Sequence, residues 1–144
     1  MKLISTLVAA SLAALVTLPA HAATATAGFN VSATLTSKCE VTAGPTNLAF
    51  TYTSFQLAAA TATGGAFSVR CTNSLPYTMA VDTVSANTVI GLVYSLALSS
   101  AGGTGTGAAI AYTVNGTMAS GQSGTCATTA ACTGTNAHTL TVTY

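Results

Sequence analysis

Four cysteines, two histidines, two carboxylates and three basic side chains make up almost the whole chemical inventory of this 144-residue chain. Cys39, Cys71, Cys126 and Cys132 permit three pairings. A zinc site built from Cys126, Cys132 and His138 is the metal alternative, but its spacing matches no common zinc pattern. Acyl-transfer chemistry needs a nucleophile on a sharp turn, and Gly121-Gln122-Ser123-Gly124-Thr125 breaks the G-x-S-x-G pattern at its last position. Beyond the N-terminal segment the acid–base groups are His138, Glu40 and Asp82. Glu40 alternates away from the apolar face of its strand and reads as solvated. Asp82 ends a strand before a Ser/Asn-containing segment and reads as a turn or cap residue. His138 opens the last strand and reads as an exposed polar side chain. The glycines from Gly102 to Gly107 lack the lysine and following helix of a phosphate loop, so they read as turn residues. No catalytic, metal or cofactor site follows from these residues, and the chain does not read as an enzyme.

The elements that must position this inventory begin with an export signal. Lys2 precedes an uncharged apolar stretch from Leu3 to Leu18, and Ala20-His21-Ala22 places small residues where a signal peptidase reads. Residues 1–22 are expected to be removed, leaving 144 minus 22, or 122, residues, which suits one domain in an oxidising compartment with no membrane span. Lys38 and Arg70 then balance Glu40 and Asp82. With no basic patch, nucleic acid is excluded as a partner, and a near-neutral surface favours association.

Period-2 alternation recurs along the remainder. Phe67, Val69 and Cys71 share one strand face, as do Tyr77, Met79 and Val81. Ile90, Leu92, Tyr94, Leu96 and Leu98 form a longer set, Ile110, Tyr112 and Val114 another, and Leu140, Val142 and Tyr144 close the chain. Leu48, Phe50 and Tyr52 predict an early strand after the Gly44-Pro45 turn. Thr63-Gly64-Gly65, Asn73 to Pro76, Gly102 to Gly107 and Asn115-Gly116 read as the intervening turns. Short alternating strands between turns predict an all-β sandwich or barrel.

One segment is too long for that plan. From Ala23 to Val41 every odd position is small or apolar and every even position is polar or glycine. As a single strand it would run roughly 60 Å at ~3.3 Å per residue, against about 17–20 Å for ordinary strands. Its N-terminal part has an apolar face with no partner in its own domain, and such a strand must find another sheet edge. The rival reading of Ala23–Gly28 is a floppy tail.

The order of several pieces carries a resemblance. These are Phe29 to Leu35, Cys39 followed by Val41, Leu48-Ala49-Phe50 after a proline turn, Phe67 to Asn73, Pro76-Tyr77, Leu92 to Leu96 and the ending Leu140 to Tyr144. With them the chain resembles the spore coat protein U domain family, which includes subunits of archaic chaperone–usher pili. Ser120–Asn136, with its second cysteine pair, departs from the matched pattern. The resemblance implies an immunoglobulin-like β-sandwich lacking one strand, completed by the N-terminal segment of a neighbouring subunit. A periplasmic chaperone and an outer-membrane usher would assist on the way to the cell surface.

The resemblance also implies a Cys39–Cys71 disulfide, with Cys126 and Cys132 then pairing locally. Chain entropy assigns these loops about 3.7 and about 2.4 kcal/mol. It divides the chain into a signal peptide at 1–22, a donor strand at 23–36 and a pilin-like domain at 37–144. Ala25, Ala27, Phe29, Val31, Ala33 and Leu35 are expected to enter the neighbour's groove, and Leu140, Val142 and Tyr144 to line it from the acceptor side. Because donor and acceptor surfaces differ, the contact would grow an open fibre. The expected function is that of a pilus subunit supporting adhesion and biofilm formation. A secreted coat or matrix protein of the same fold and a monomeric carbohydrate-binding domain are the rivals.

Overall fold

A computed structural model of the chain describes residues 23–62, 64–82 and 87–144. The export segment expected at 1–22, and Thr63 of the expected Thr63–Gly65 turn, lie outside the described residues. The chain divides after Thr34 into two compact units. In the first, residues 23–34 form no strand and every one of them is exposed.

The second unit is all-β, in two antiparallel sheets. Its strands are β1 (Cys39–Ala43), β2 (Ala60–Thr61), β3 (Ala66–Cys71), β4 (Pro76–Val81), β5 (Thr88–Val89), β6 (Leu92–Leu98), β7 (Gly102–Thr104), β8 (Ala109–Met118) and β9 (Leu140–Thr143). The larger sheet runs β1-β3-β8-β6-β5, and the smaller runs β7-β4-β9. Strand β8 is the spine of the larger sheet. Along one edge it pairs with β3 through Ala109–Thr113 and with β2 through Thr117–Met118, while β6 takes Val114–Met118 on the other edge. The architecture is that of an immunoglobulin-like β-sandwich.

Alternation explains which side chains meet between the sheets. Phe67, Val69 and Cys71 of β3 and Tyr77 and Met79 of β4 are buried, with intervening residues turned outward. They join Cys39 and Val114 in one core cluster, while Leu92, Tyr94 and Met118 form a second, smaller one beside Phe50 and Tyr52. The Cys39–Cys71 disulfide joins directly opposed positions of β1 and β3 at the edge of the first cluster. Next to it, on the outer face, Lys38 Nζ lies 3.0 Å from Glu40, and Arg70 also pairs with Glu40. The ammonium of Lys38 and then the guanidinium of Arg70 hold the Glu40 carboxyl below its usual range. Glu40 is thus paired across strands rather than simply solvated.

Four local readings change with the tertiary structure. Asn115-Gly116 is not a turn but lies inside β8. A Cβ at Gly116 would stand 2.6 Å from the Phe50 ring and 3.0 Å from Ala62 Cβ, so glycine serves close packing there. Gly102–Thr104 pairs with Thr78–Pro76 as an edge strand, because β4 offers backbone partners that outweigh glycine's turn preference. Ile90 belongs to a turn, not to β6: Ile90 and Gly91 both have positive φ, 44° and 70°, as a two-residue type I′ hairpin between β5 and β6 requires. Leu48, Phe50 and Tyr52 keep their alternation, each half-buried between exposed neighbours, but apart from a single bridge at Ala49 no strand forms there. The side-chain period is local, whereas a ladder needs a second backbone alongside.

Candidate functional site

Between the two sheets lies an open apolar cleft of about 550 Å³. Leu92, Tyr94 and Leu96 of β6 and Val114 and Met118 of β8 line it from the larger sheet. One flank is the irregular segment carrying Leu48, Phe50 and Tyr52; the other is Leu140 with the stretch Cys132–Asn136. Both flanks adjoin strand edges. Thr46 is bonded to Gly65 and Ala66, so its segment extends the edge of the larger sheet, and β9 is the last strand of the smaller one. The cleft therefore lies where a further strand could reach the edges of both sheets.

A polar chain crosses one end of the cleft. The Asn136 side-chain amide donates to the Tyr94 hydroxyl at 2.8 Å, that hydroxyl lies 2.6 Å from His138 Nε2, and His138 Nδ1 lies 2.9 Å from Asp82 Oδ1. With Nδ1–H donating to the carboxylate, Nε2 accepts from the phenol. A hydrogen bond from the Thr139 backbone, with a smaller contribution from His138, holds the Asp82 carboxyl below its usual range. Both imidazole nitrogens are thus used within the protein, and His138 is half-buried rather than an exposed polar residue. Sequence reading missed this chain because its bonded partners are 42 to 56 positions apart and none stands in a motif. Among the described residues no three His, Cys, Asp or Glu side chains gather as a metal site.

The expected donor positions Ala25, Ala27, Phe29, Val31, Ala33 and Leu35 are all exposed, Phe29 at 86% and Val31 at 83%. Of the expected acceptor residues, Leu140 lines the cleft, Val142 is half-buried against the main core, and Tyr144 is exposed. Further apolar lining comes from β6, β8 and the Leu48–Tyr52 segment, whose alternation is legible in the sequence but whose destination is not. Cys126 and Cys132 form the second disulfide, beside the cleft wall.

The fold is thus a two-sheet β domain with an open apolar cleft, and His138 at its end is spent on internal bonds. Residues 25–144 match the spore coat protein U domain model, and the chain belongs to that family of structural coat and pilin proteins. No curated protein and no solved structure matches the chain. No helix among the described residues is long and apolar enough to cross a membrane.

Proposed function

We propose that the chain is a structural subunit of an extracellular chaperone–usher pilus, polymerised when the N-terminal segment of one copy fills the cleft of the next, and supporting adhesion and biofilm formation. The reading rests on one pairing of features: an open apolar cleft bordered by strand edges, and an alternating apolar segment that is fully exposed in the single chain. Each is costly alone. An added strand would satisfy edge backbone groups, and burying Phe29, Val31 and Leu35 is worth about 1.5–3 kcal/mol per side chain. Before assembly, a periplasmic chaperone would cover the same cleft, and an outer-membrane usher would exchange it for the donor segment. Family membership supports this class of partners.

Strand parity supplies the test, because adjacent residues face opposite sides. Val31→Asp would place an unpaired carboxylate in the neighbour's cleft, costing several kcal/mol. Asn30→Asp adds the same charge to the outer face and is expected to assemble almost normally. Fibre yield from cells with matched subunit export decides the matter. Equal yields from the two variants would remove donor-strand insertion and leave the coat-protein reading.

A further inference from the structure

The second disulfide sits in a loop that forms part of the cleft. Thr125 N donates to Ile90 O at 2.7 Å, anchoring the loop to the β5–β6 hairpin ahead of Cys126. Past Cys132 the chain returns to the same hairpin, where a Cβ on Gly134 would stand 2.7 Å from Ile90 Cγ2 and 3.0 Å from Val89 Cγ2. Cys132–Asn136 then lines the cleft, and Asn136 reaches Tyr94 on its floor. Residues 126–135 form no strand, so the wall has no ladder to hold it. The disulfide shortens this unladdered span, and it does so from outside the core: Cys126 is exposed, whereas Cys39 and Cys71 are 7% and 3% exposed. The strained Ile90, a β-branched residue at φ 44°, is held by these same contacts, as a strained conformation must be.

We infer that the Cys126–Cys132 disulfide is a positioning element of the acceptor cleft, holding the Cys132–Asn136 wall where it can flank an extended apolar segment from a second copy of this chain. The inference rests on the acceptor reading of the cleft. The clip and the core tie therefore divide the work: Cys39–Cys71 pins β1 to β3 within the larger sheet, and Cys126–Cys132 shapes the face that receives a neighbour.

The exposed bond can be opened selectively in the exported full chain with a limiting thiol reductant, checked by labelling that reaches Cys126 and Cys132 but not Cys39 and Cys71. The probe is a fluorescent peptide with the sequence of residues 23–36. Opening the clip is expected to weaken peptide uptake roughly tenfold or more, with the near-UV circular dichroism of the sandwich unchanged and uptake restored on reoxidation. The opened chain should still donate its own N-terminal segment to oxidised subunits, a property that general unfolding would abolish. The double variant Cys126→Ser/Cys132→Ser should behave like the reduced chain. Equal uptake by opened and closed forms would overturn the inference while leaving the acceptor reading intact. If the oxidised chain itself takes up no peptide, the acceptor reading fails and the inference falls with it.

Discussion

The two core clusters are built from the same kinds of residue and share strand β8, yet one is closed and the other borders the open cleft. Phe67, Val69, Tyr77 and Met79 lie where both sheets are present, and each is at most 5% exposed. Leu92, Tyr94 and Met118 sit on the same larger sheet, but Phe50, Tyr52 and the Cys132–Asn136 loop stand opposite them instead of strands. Strand β8 passes through both regions, with Val114 in the first cluster and Met118 in the second. The difference is thus not hydrophobicity but backbone: one region has a full complement of ladders, while the other pairs apolar side chains with irregular chain. A closed core stabilises its own domain, whereas an open one leaves apolar surface for something added later.

Breaking the closed region should do the larger damage. Replacing Cys39 and Cys71 with serine leaves β1 joined to β3 by its ladder alone and is expected to cost about 3.7 kcal/mol, read as a shift in the denaturant midpoint. Loss of the second disulfide is expected to cost less, at most about 2.4 kcal/mol on the same reckoning. A similar cost for both would erase the proposed division between core tie and cleft clip.

Side-chain truncation sharpens the contrast. Val69 is 1% exposed, so Val69→Ala is expected to lower stability by about 2 kcal/mol. Phe50 is half-buried on the cleft flank, so Phe50→Ala should cost the isolated chain less, about 1 kcal/mol, while strongly reducing uptake of the 23–36 peptide. Paired denaturation and peptide-binding measurements test this. A Phe50→Ala chain that loses stability as Val69→Ala does, with binding intact, would place Phe50 in a closed core.

An alkaline pH effect is expected on the closed side. Burial, together with the hydrogen bond to Tyr112, raises the Tyr77 phenol to about 12. Its folded pKa is raised, so its contribution is complete below the unfolded value near 10 and is lost as pH climbs from there toward 12. Stability should therefore fall across that window by up to about 2–3 kcal/mol. Tyr77→Phe should flatten the decline, as followed by denaturant midpoints at successive alkaline pH values. An unchanged slope in the variant would assign the alkaline loss to other groups.

Much of the wall material is legible in the sequence. Leu48, Phe50 and Tyr52 can be read as one face, as can Leu92, Tyr94 and Leu96, because alternation is set by the local geometry of an extended chain. That the first set gains no ladder and becomes a cleft flank is not readable there, because hydrogen-bond partners are supplied from far along the chain. Gly116 shows the same limit. Asn-Gly is a strong hairpin signal in isolation, but the approach of the Phe50 ring makes that glycine a packing residue within β8.

The order of amino acids alone settles what is local or compositional. That covers the scarcity of charge, the four cysteines, the two-residue period of each segment and the unbroken apolar face from Ala23 to Leu35. Tertiary packing settles which segments pair, where the sheets part, and that Asp82, His138, Tyr94 and Asn136 meet at one end of the cleft. The physical reason is range: side-chain parity follows from a residue's own φ and ψ, whereas ladders and buried polar chains form between residues whose separation no local pattern encodes.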